Sequence, residues 1–277
     1  MIYGDLFHKA SAAAKRVVIG RSVQGRAIYA FVKGRDKSRK ILIHGGIHAR
    51  ECITARLVYQ MIIDYNSDAE IWFVPLVNPD GAELVVNGLE SANIFRRKRL
   101  VKLNGGKKDF SLWKANIKGV DLNVNFDALW GTGINNIRYR HSENYIGKKP
   151  FSEPETRALR RVTKANDFVL TISYHTKGKE IYWGFNNDFR YYDEAVKFSA
   201  LTGYPLLKST GSAGGYKDWF VKTFERLGLT IETGDDSYPH PIPEDAFDEI
   251  YKENADVPRL AAEVAKSLKK IYLNCLK

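Results

Sequence analysis

A chain of 277 residues with 44% hydrophobic and 12% aromatic content carries enough apolar material for one large domain, which excludes an intrinsically disordered protein. Its formal charge of +11 raises the question of an anionic partner, and without any run of about 18 apolar residues no membrane-spanning helix is expected. Two cysteines far apart, Cys52 and Cys275, argue against a disulfide framework and for a reducing compartment.

In chain order, residues 1–16 read as an N-terminal extension. Met1–His8 lacks a basic segment followed by an apolar one, so no secretory signal is read and a cytoplasmic location is expected as the sequence stands. A trimmed chain would look the same, and export stays open. Residues 17–34 alternate and turn at Gln24-Gly25, which predicts a hairpin. A third strand covers 40–44. The spacing of Ile53, Leu57, Val58, Met61 and Ile62 predicts a helix over 51–65. A strand over 70–77 stops at the turn signal Asn78-Pro79-Asp80-Gly81.

The basic run of 96–108, with Arg96, Arg97, Lys98, Arg99, Lys102, Lys107 and Lys108, reads as a solvated surface loop. Attraction of an anionic polymer is a second reading, and contact with nucleic acid is the remote one. Residues 119–126 form a short element entering a loop, and 131–150 is irregular. Further on come a helix over 154–166, a buried strand over 168–174 ending at His175, and a strand over 181–184. Helices over 189–202 and 216–227, a strand over 229–232 and a helix over 257–274 complete the chain. Strands alternating with helices imply an α/β sheet covered on both faces, in one domain spanning 1–277.

Ligands in such sheets bind beyond the carboxyl ends of strands. His48, Asn123, His175 and Glu232 all fall at or just after predicted strand ends. His48 and Glu51 form an H-x-x-E between a strand and a helix, where both can reach one metal ion. Alone that pattern is weak. With His175 it supplies the two histidines and one carboxylate of a hydrolytic zinc centre that keeps a position open for water. Glu232, outside that set, suits the general base, and Asp121 suits the carboxylate that orients a ligand imidazole. Taken singly, each has a plain structural reading: a hydrogen-bonded histidine, a loop cap, a turn. His44 is a rival ligand, read as structural or as a support behind the metal ligands because its strand still runs there. His141 reads as a surface histidine, and Cys52 as a small buried side chain that opens a helix.

Together these residues carry a resemblance. Gly-Ile-His48-Ala-Arg-Glu51, Val-Asn78-Pro-Asp-Gly81, Gly-Val-Asp121-Leu-Asn123, Tyr-His175 and Thr-Ile-Glu232 resemble, in order and spacing, the zinc carboxypeptidases related to carboxypeptidase A. The resemblance implies a mixed central sheet flanked by helices and one Zn2+ ion held by His48, Glu51 and His175. It also implies Glu232 as base, Asp121 behind His48, and Asn123 among the substrate-binding residues. Trp113-Lys114 occupies the segment of the family's electrophilic arginine, so Lys114 is the oxyanion candidate, with Arg96 and Arg99 as competitors.

Two departures bear on the substrate. The arginine that clamps a terminal carboxylate in the exopeptidases is Val124 here, and an isopropyl group cannot form that bidentate pair. By the local pattern Gly-Gly-Tyr-Lys-Asp218-Trp219-Phe-Val221, the tyrosine that closes over substrate in those enzymes is replaced by Val221, with Tyr216 as a substitute. Asn-Val-Asn-Phe-Asp, Trp-Gly-Thr-Gly and Gly-Gly-Tyr-Lys-Asp-Trp-Phe resemble the bacterial γ-D-glutamyl-diaminopimelate endopeptidases. The expected substrate is therefore a peptidoglycan stem peptide or muropeptide, with Arg50, Arg138 or Arg140 replacing the lost clamp. The alternatives are a metallocarboxypeptidase with a rearranged clamp and a non-catalytic module that binds wall peptides.

Overall fold

The alternating residues of 17–34 pair as an antiparallel hairpin, β1 (Lys15–Arg21) with β2 (Ala27–Lys33). The structure is a computed structural model and describes residues 2–275. The remaining strands are β3 (Asp36–His44), β4 (Ala69–Val74), β5 (Phe168–His175), β6 (Glu180–Trp183), β7 (Leu206–Lys208) and β8 (Leu227–Glu232). They complete an eight-stranded sheet in the order β1-β2-β4-β3-β5-β8-β6-β7. The inner pairs β4/β3, β3/β5 and β5/β8 are parallel, while β1/β2, β2/β4 and β8/β6 are antiparallel. The sheet is mixed, as expected.

Nine helices flank it among the described residues: α1 (Gly4–Ala13), α2 (Cys52–Asp64), α3 (Pro79–Asn87), α4 (Ile94–Leu103), α5 (Pro154–Ala165), α6 (Tyr192–Thr202), α7 (Tyr216–Phe224), α8 (Phe247–Asn254) and α9 (Val257–Cys275). None is long and apolar enough to cross a membrane. The period-two direction of strand side chains divides the apolar residues into two layers. Ile41 and Ile43 of β3, Leu170 and Ile172 of β5, and Leu229 and Ile231 of β8 join α1, α2, α6, α8 and α9 in one core. Leu42 of β3 and Ile28 and Ala30 of β2 join α5 and α7 in the other. Each such side chain, fully buried, contributes about 1.5–3 kcal/mol over its exposed state. Because Leu229 and Ile231 face the first layer, Thr230 and Glu232 face α7, and His175 stands beside Glu232 in the parallel register. The same alternation that fills the core therefore aims two chemical side chains at one place.

Several elements differ from the sequence reading. The N-terminal extension contains α1, whose Phe7 and Ala10 are buried. The strand expected over 70–77 ends at Val74. Asn78-Pro79-Asp80-Gly81 opens α3: the Asn78 side chain accepts from the Gly81 amide, and Pro79 takes the first helical position, where its missing N–H costs nothing. The basic run is a helix for much of its length, α4, capped by Asn93, whose side chain accepts from the Phe95 amide. The helix expected to reach 227 stops at Phe224, where Glu225 takes a left-handed conformation at φ 56°, and Leu227 already belongs to β8.

Candidate active site

Two adjoining glycines turn the chain out of β3. A Cβ on Gly45 would stand 2.7 Å from the Thr54 carbonyl oxygen, and Gly46 sits at φ 58°, a conformation costly for any residue with a Cβ. The Gly46 amide donates to Thr54 Oγ1 at 2.9 Å, which fastens the turn onto the start of α2. Glu51 occupies the position just before that helix without capping it, which leaves its carboxylate free for other partners, and His48 lies three residues earlier. His48 Nδ1 lies 2.8 Å from Glu51 Oε1. From the end of β5, His175 Nδ1 comes within 3.1 Å of His48 Nδ1 and 3.2 Å of Glu51 Oε2. All three side chains are buried.

Ligand atoms bound tetrahedrally to one zinc at about 2.0–2.2 Å stand roughly 3.3–3.5 Å apart. The observed spacings of 2.8–3.2 Å are a few tenths of an ångström shorter, so a slight separation of the three side chains lets the trio hold one metal ion. Burial alone would raise the Glu51 carboxyl, yet the charge and hydrogen bonds of His48 and His175 hold it well below the usual carboxylate range.

Around this trio lies a supporting layer. Asp121 Oδ1 faces His48 Nε2 at 3.3 Å, and Oδ2 accepts from the Lys114 ammonium at 2.9 Å. Asp121 is fully buried. Burial would raise its carboxyl, but Lys114 and His48 keep it well below normal. The amides of Asn123 and Asn144 also donate to it. The Asn123 side chain approaches His175 Nε2 to 3.4 Å, and its carbonyl accepts from the Tyr216 amide. Lys114 is carried on a segment braced twice: its carbonyl accepts from the Ala49 amide, and Asn78 Nδ2 donates to the Ala115 carbonyl at 3.1 Å. The Asn78 motif is thus more than a turn, since it holds Lys114 beside the trio.

His48, Lys114, Asn123, Val124 and Glu232 line one cleft of about 410 Å³. The structure brings together there the metal trio's mouth, the proposed base, the proposed oxyanion partner and the apolar residue that replaces a clamp. Burial pushes the Glu232 carboxyl up to about 7. His175 and Lys114 oppose that rise, while Glu51 and Glu180 add to it. Such a group both takes and gives a proton near neutral pH.

Other expected site residues fall elsewhere. Tyr216 does not face substrate: it is fully buried in the first turn of α7, its hydroxyl paired with Thr163 Oγ1 at 2.9 Å and its ring edge-on to His44. Val221 is also buried in α7, against β8. Ser209, Thr210 and Ser212 of the preceding loop form that wall of the cleft instead. None of the three expected clamp arginines lines the cleft. Arg50 bonds the Leu112 carbonyl and Glu143, Arg138 bonds the Gly131 carbonyl and lies against Trp130, and Arg140 bonds the Lys118 carbonyl. Arg140 joins Arg96, Arg99 and Lys118 around a separate cavity of about 80 Å³, which also removes Arg96 and Arg99 as oxyanion candidates.

His44 is structural, as read. It pairs with Ser173 Oγ at 2.8 Å, and burial, with His175 nearby, lowers its pKa to about 3. The Cys52 thiol is buried and faces the Ala49 carbonyl, while the Cys275 side chain lies outside the described residues. Sequence reasoning missed Lys217 and Asp218, which also line the cleft. A Lys-Asp pair in a first helical turn reads as a solvated face, and only the packing of α7 on β8 reveals otherwise.

The zinc carboxypeptidase family model matches residues 4–257. Gamma-D-glutamyl-L-diamino acid endopeptidase 1 of Lysinibacillus sphaericus is 35% identical over 256 residues, covering 85% of this chain and 64% of that protein. The chain thus spans just under two thirds of that relative's length. The fold is similar to that of carboxypeptidase A from Helicoverpa armigera, with a TM-score of 0.74 at 18% identity over 95% of this chain and 71% of that one. It is similar too to that of a murein-tripeptide amidase from Escherichia coli O157, with a TM-score of 0.61 at 21% identity over 90% and 91% of the two chains.

Proposed function

The chain belongs to the zinc carboxypeptidase family, and on that premise we propose that it hydrolyses a γ-D-glutamyl-diamino acid amide in peptidoglycan stem peptides. The observation that carries this reading is the cleft itself. The metal trio, Glu232 and Lys114 are all present, yet the position of the exopeptidases' clamp is taken by the apolar Val124. The name of the Lysinibacillus relative supports the same linkage.

His48, Glu51 and His175 would hold the zinc, which when bound supplies a Lewis acid that polarises the scissile carbonyl and acidifies water. Glu232 removes a proton from the attacking water, whose oxygen joins the acyl carbon. As the carbon–nitrogen bond breaks, Glu232 delivers that proton to the leaving amine, so acid and amine products balance. The Lys114 ammonium offsets negative charge growing on the carbonyl oxygen. Asp121 fixes both Lys114 and the His48 ring, and so sets the orientation of two participants at once.

The test is mass spectrometry of defined muropeptides incubated with the zinc-loaded protein, using substrates with free and with blocked C-termini. Cleavage between γ-D-glutamate and the diamino acid in both forms is expected. Strict dependence on a free terminal carboxylate, with release of the last residue, would establish the metallocarboxypeptidase reading instead.

A further inference from the structure

Ile94, Phe95, Lys98, Arg99 and Lys102 recur along α4 at helical spacing and share one arc of about 140°. All five are exposed. Opposite them Leu100 is buried in an apolar cluster with Ala49, Trp113 and Ala115. Asn93 caps the helix, and Arg97 pairs with Glu90. The far side of the helix thus holds the exposed arc in place, so its exposure is part of the fold.

Two features meet on that arc. Ile94 is 69% and Phe95 92% exposed, two adjacent large apolar side chains left in water. Around them, residues 94–108 hold seven lysines and arginines and no acidic residue. Lys98, Arg99 and Lys102 have no hydrogen bond or ion pair from their side chains among the described residues. Beside the arc, Arg96 and Arg99 join Lys118 and Arg140 around the small cavity noted above. Of these four cations only Lys118 has a carboxylate partner among the described residues, Glu153 at 3.4 Å. A soluble polyanion would neutralise the cations and leave Ile94 and Phe95 wet. A second copy of this face would cover the apolar pair and set like charge against like charge. The surface of an anionic bilayer answers both, with phosphodiesters for the cations and hydrocarbon just beneath for the apolar pair.

We propose that α4 is a peripheral docking face for an anionic phospholipid membrane. Phe95 and Ile94 enter the headgroup boundary, Lys98, Arg99 and Lys102 meet the surrounding phosphates, and Arg96 and Arg140 frame one headgroup phosphate, a group that guanidinium geometry suits. One weak signal gives only marginal, reversible attachment, whereas a basic patch and an apolar insertion together hold. The helix lies on the surface and crosses nothing, in keeping with the absence of a membrane-spanning helix among the described residues. Ala49 and Ala115, the neighbours of His48 and Lys114, share the apolar cluster of Leu100. Docking through α4 therefore fixes the layer that carries the hydrolytic site at the membrane, whichever amide is cut.

Co-sedimentation of the zinc-loaded full chain with lipid vesicles tests this. Vesicles of equal parts phosphatidylglycerol and phosphatidylcholine should carry the protein down, and phosphatidylcholine alone should not. Neutralising Lys98→Gln, Arg99→Gln and Lys102→Gln together should lower the partition coefficient roughly hundredfold, since each cation near an anionic surface contributes about fivefold. Phe95→Ala keeps the charge and should lower it roughly tenfold. Both variants should keep the wild-type Tm, because the substituted side chains lie outside the core. Inorganic polyphosphate offers phosphates without hydrocarbon, and Phe95→Ala should bind it as the wild type does. Equal binding to both kinds of vesicle, or a Phe95→Ala protein that partitions like the wild type, would overturn the proposal. Binding of polyphosphate with none to the anionic vesicles would assign α4 to a soluble polyanion and overturn it too.

Discussion

Glu232 shows how one side chain acquires its chemistry from its position. It ends β8 on the side facing α7, beside His175 in register, and stands half-buried at the wall of the cleft. Burial raises its carboxyl to about 7 against the pull of His175 and Lys114, so protonated and ionised forms are both accessible near neutral pH. Glu232→Gln keeps the shape and removes the proton acceptor. Turnover should fall roughly 10²-fold or more, while zinc content, measured by atomic absorption, stays at one per chain because Glu232 stands outside the trio. A variant with undiminished hydrolysis would show that another group takes the proton. The sequence singled out this residue because a carboxylate at the end of an inner strand has few structural excuses. Lys217 escaped notice for the opposite reason, since a lysine beside an aspartate on a helix is ordinary until the sheet covers it.

At the scale of elements, legibility followed how locally each one is determined. The hairpin of β1 and β2, the buried run of β5 and the Pro-initiated α5 carry their own signals. α4 does not: of its ten residues only Leu100 is buried, and Ile94 and Phe95 are exposed, so no apolar stripe announces it. The three-residue β7 exists through pairing with β6. α3 was hidden inside what read as a turn, and its start is the brace of the site. A Cβ on Gly81 would stand 2.5 Å from Asn78 Nδ2, 2.8 Å from the Ala115 carbonyl and 2.8 Å from Ala49 Cβ. Gly81→Ala should therefore cost about 1–3 kcal/mol in urea denaturation and lower kcat as well, because the segments carrying Lys114 and His48 must move apart. Equal stability and kcat would show that the brace relaxes freely. The start of α5 makes a second connection: Glu155 accepts from the Val23 amide at 3.0 Å and from Asn116 at 3.3 Å. Burial pushes its carboxyl up to about 7 against the hydrogen bonds of its own and the Val23 backbone amides, with Glu153 and Asp80 adding to the rise. The folded state thus binds this proton more tightly than the unfolded chain, whose glutamate titrates near about 4.3. The resulting stability is complete below that unfolded value and is lost as pH climbs through about 7, amounting to up to about 3 kcal/mol. Denaturant midpoints should fall between pH 5 and 8 in the wild type, with a visibly smaller fall in Glu155→Gln. Identical slopes would remove Glu155 as the cause.

For the whole molecule, the sheet order matters more than any motif. β3 and β5 are neighbours in the sheet although 127 residues separate His48 from His175, and their parallel pairing delivers both histidines to the same edge. The trio exists only when this long-range pairing has formed, so an ion that binds it binds the native state and not the unfolded chain. Zinc at roughly a thousand times its dissociation constant would then stabilise the fold by about 4 kcal/mol. In a chain of this size that corresponds to a shift in Tm on the order of 10 °C. Dialysis against a chelator should therefore lower Tm by several degrees or more, and one equivalent of zinc should restore both Tm and activity. His175→Ala leaves two ligands from a single loop, too few to hold the ion in competition with a chelator. Its Tm should be insensitive to chelation and its zinc content close to zero. A His175→Ala protein that keeps a full equivalent of zinc, or a wild type whose Tm ignores the chelator, would place the ion somewhere other than the end of these two strands.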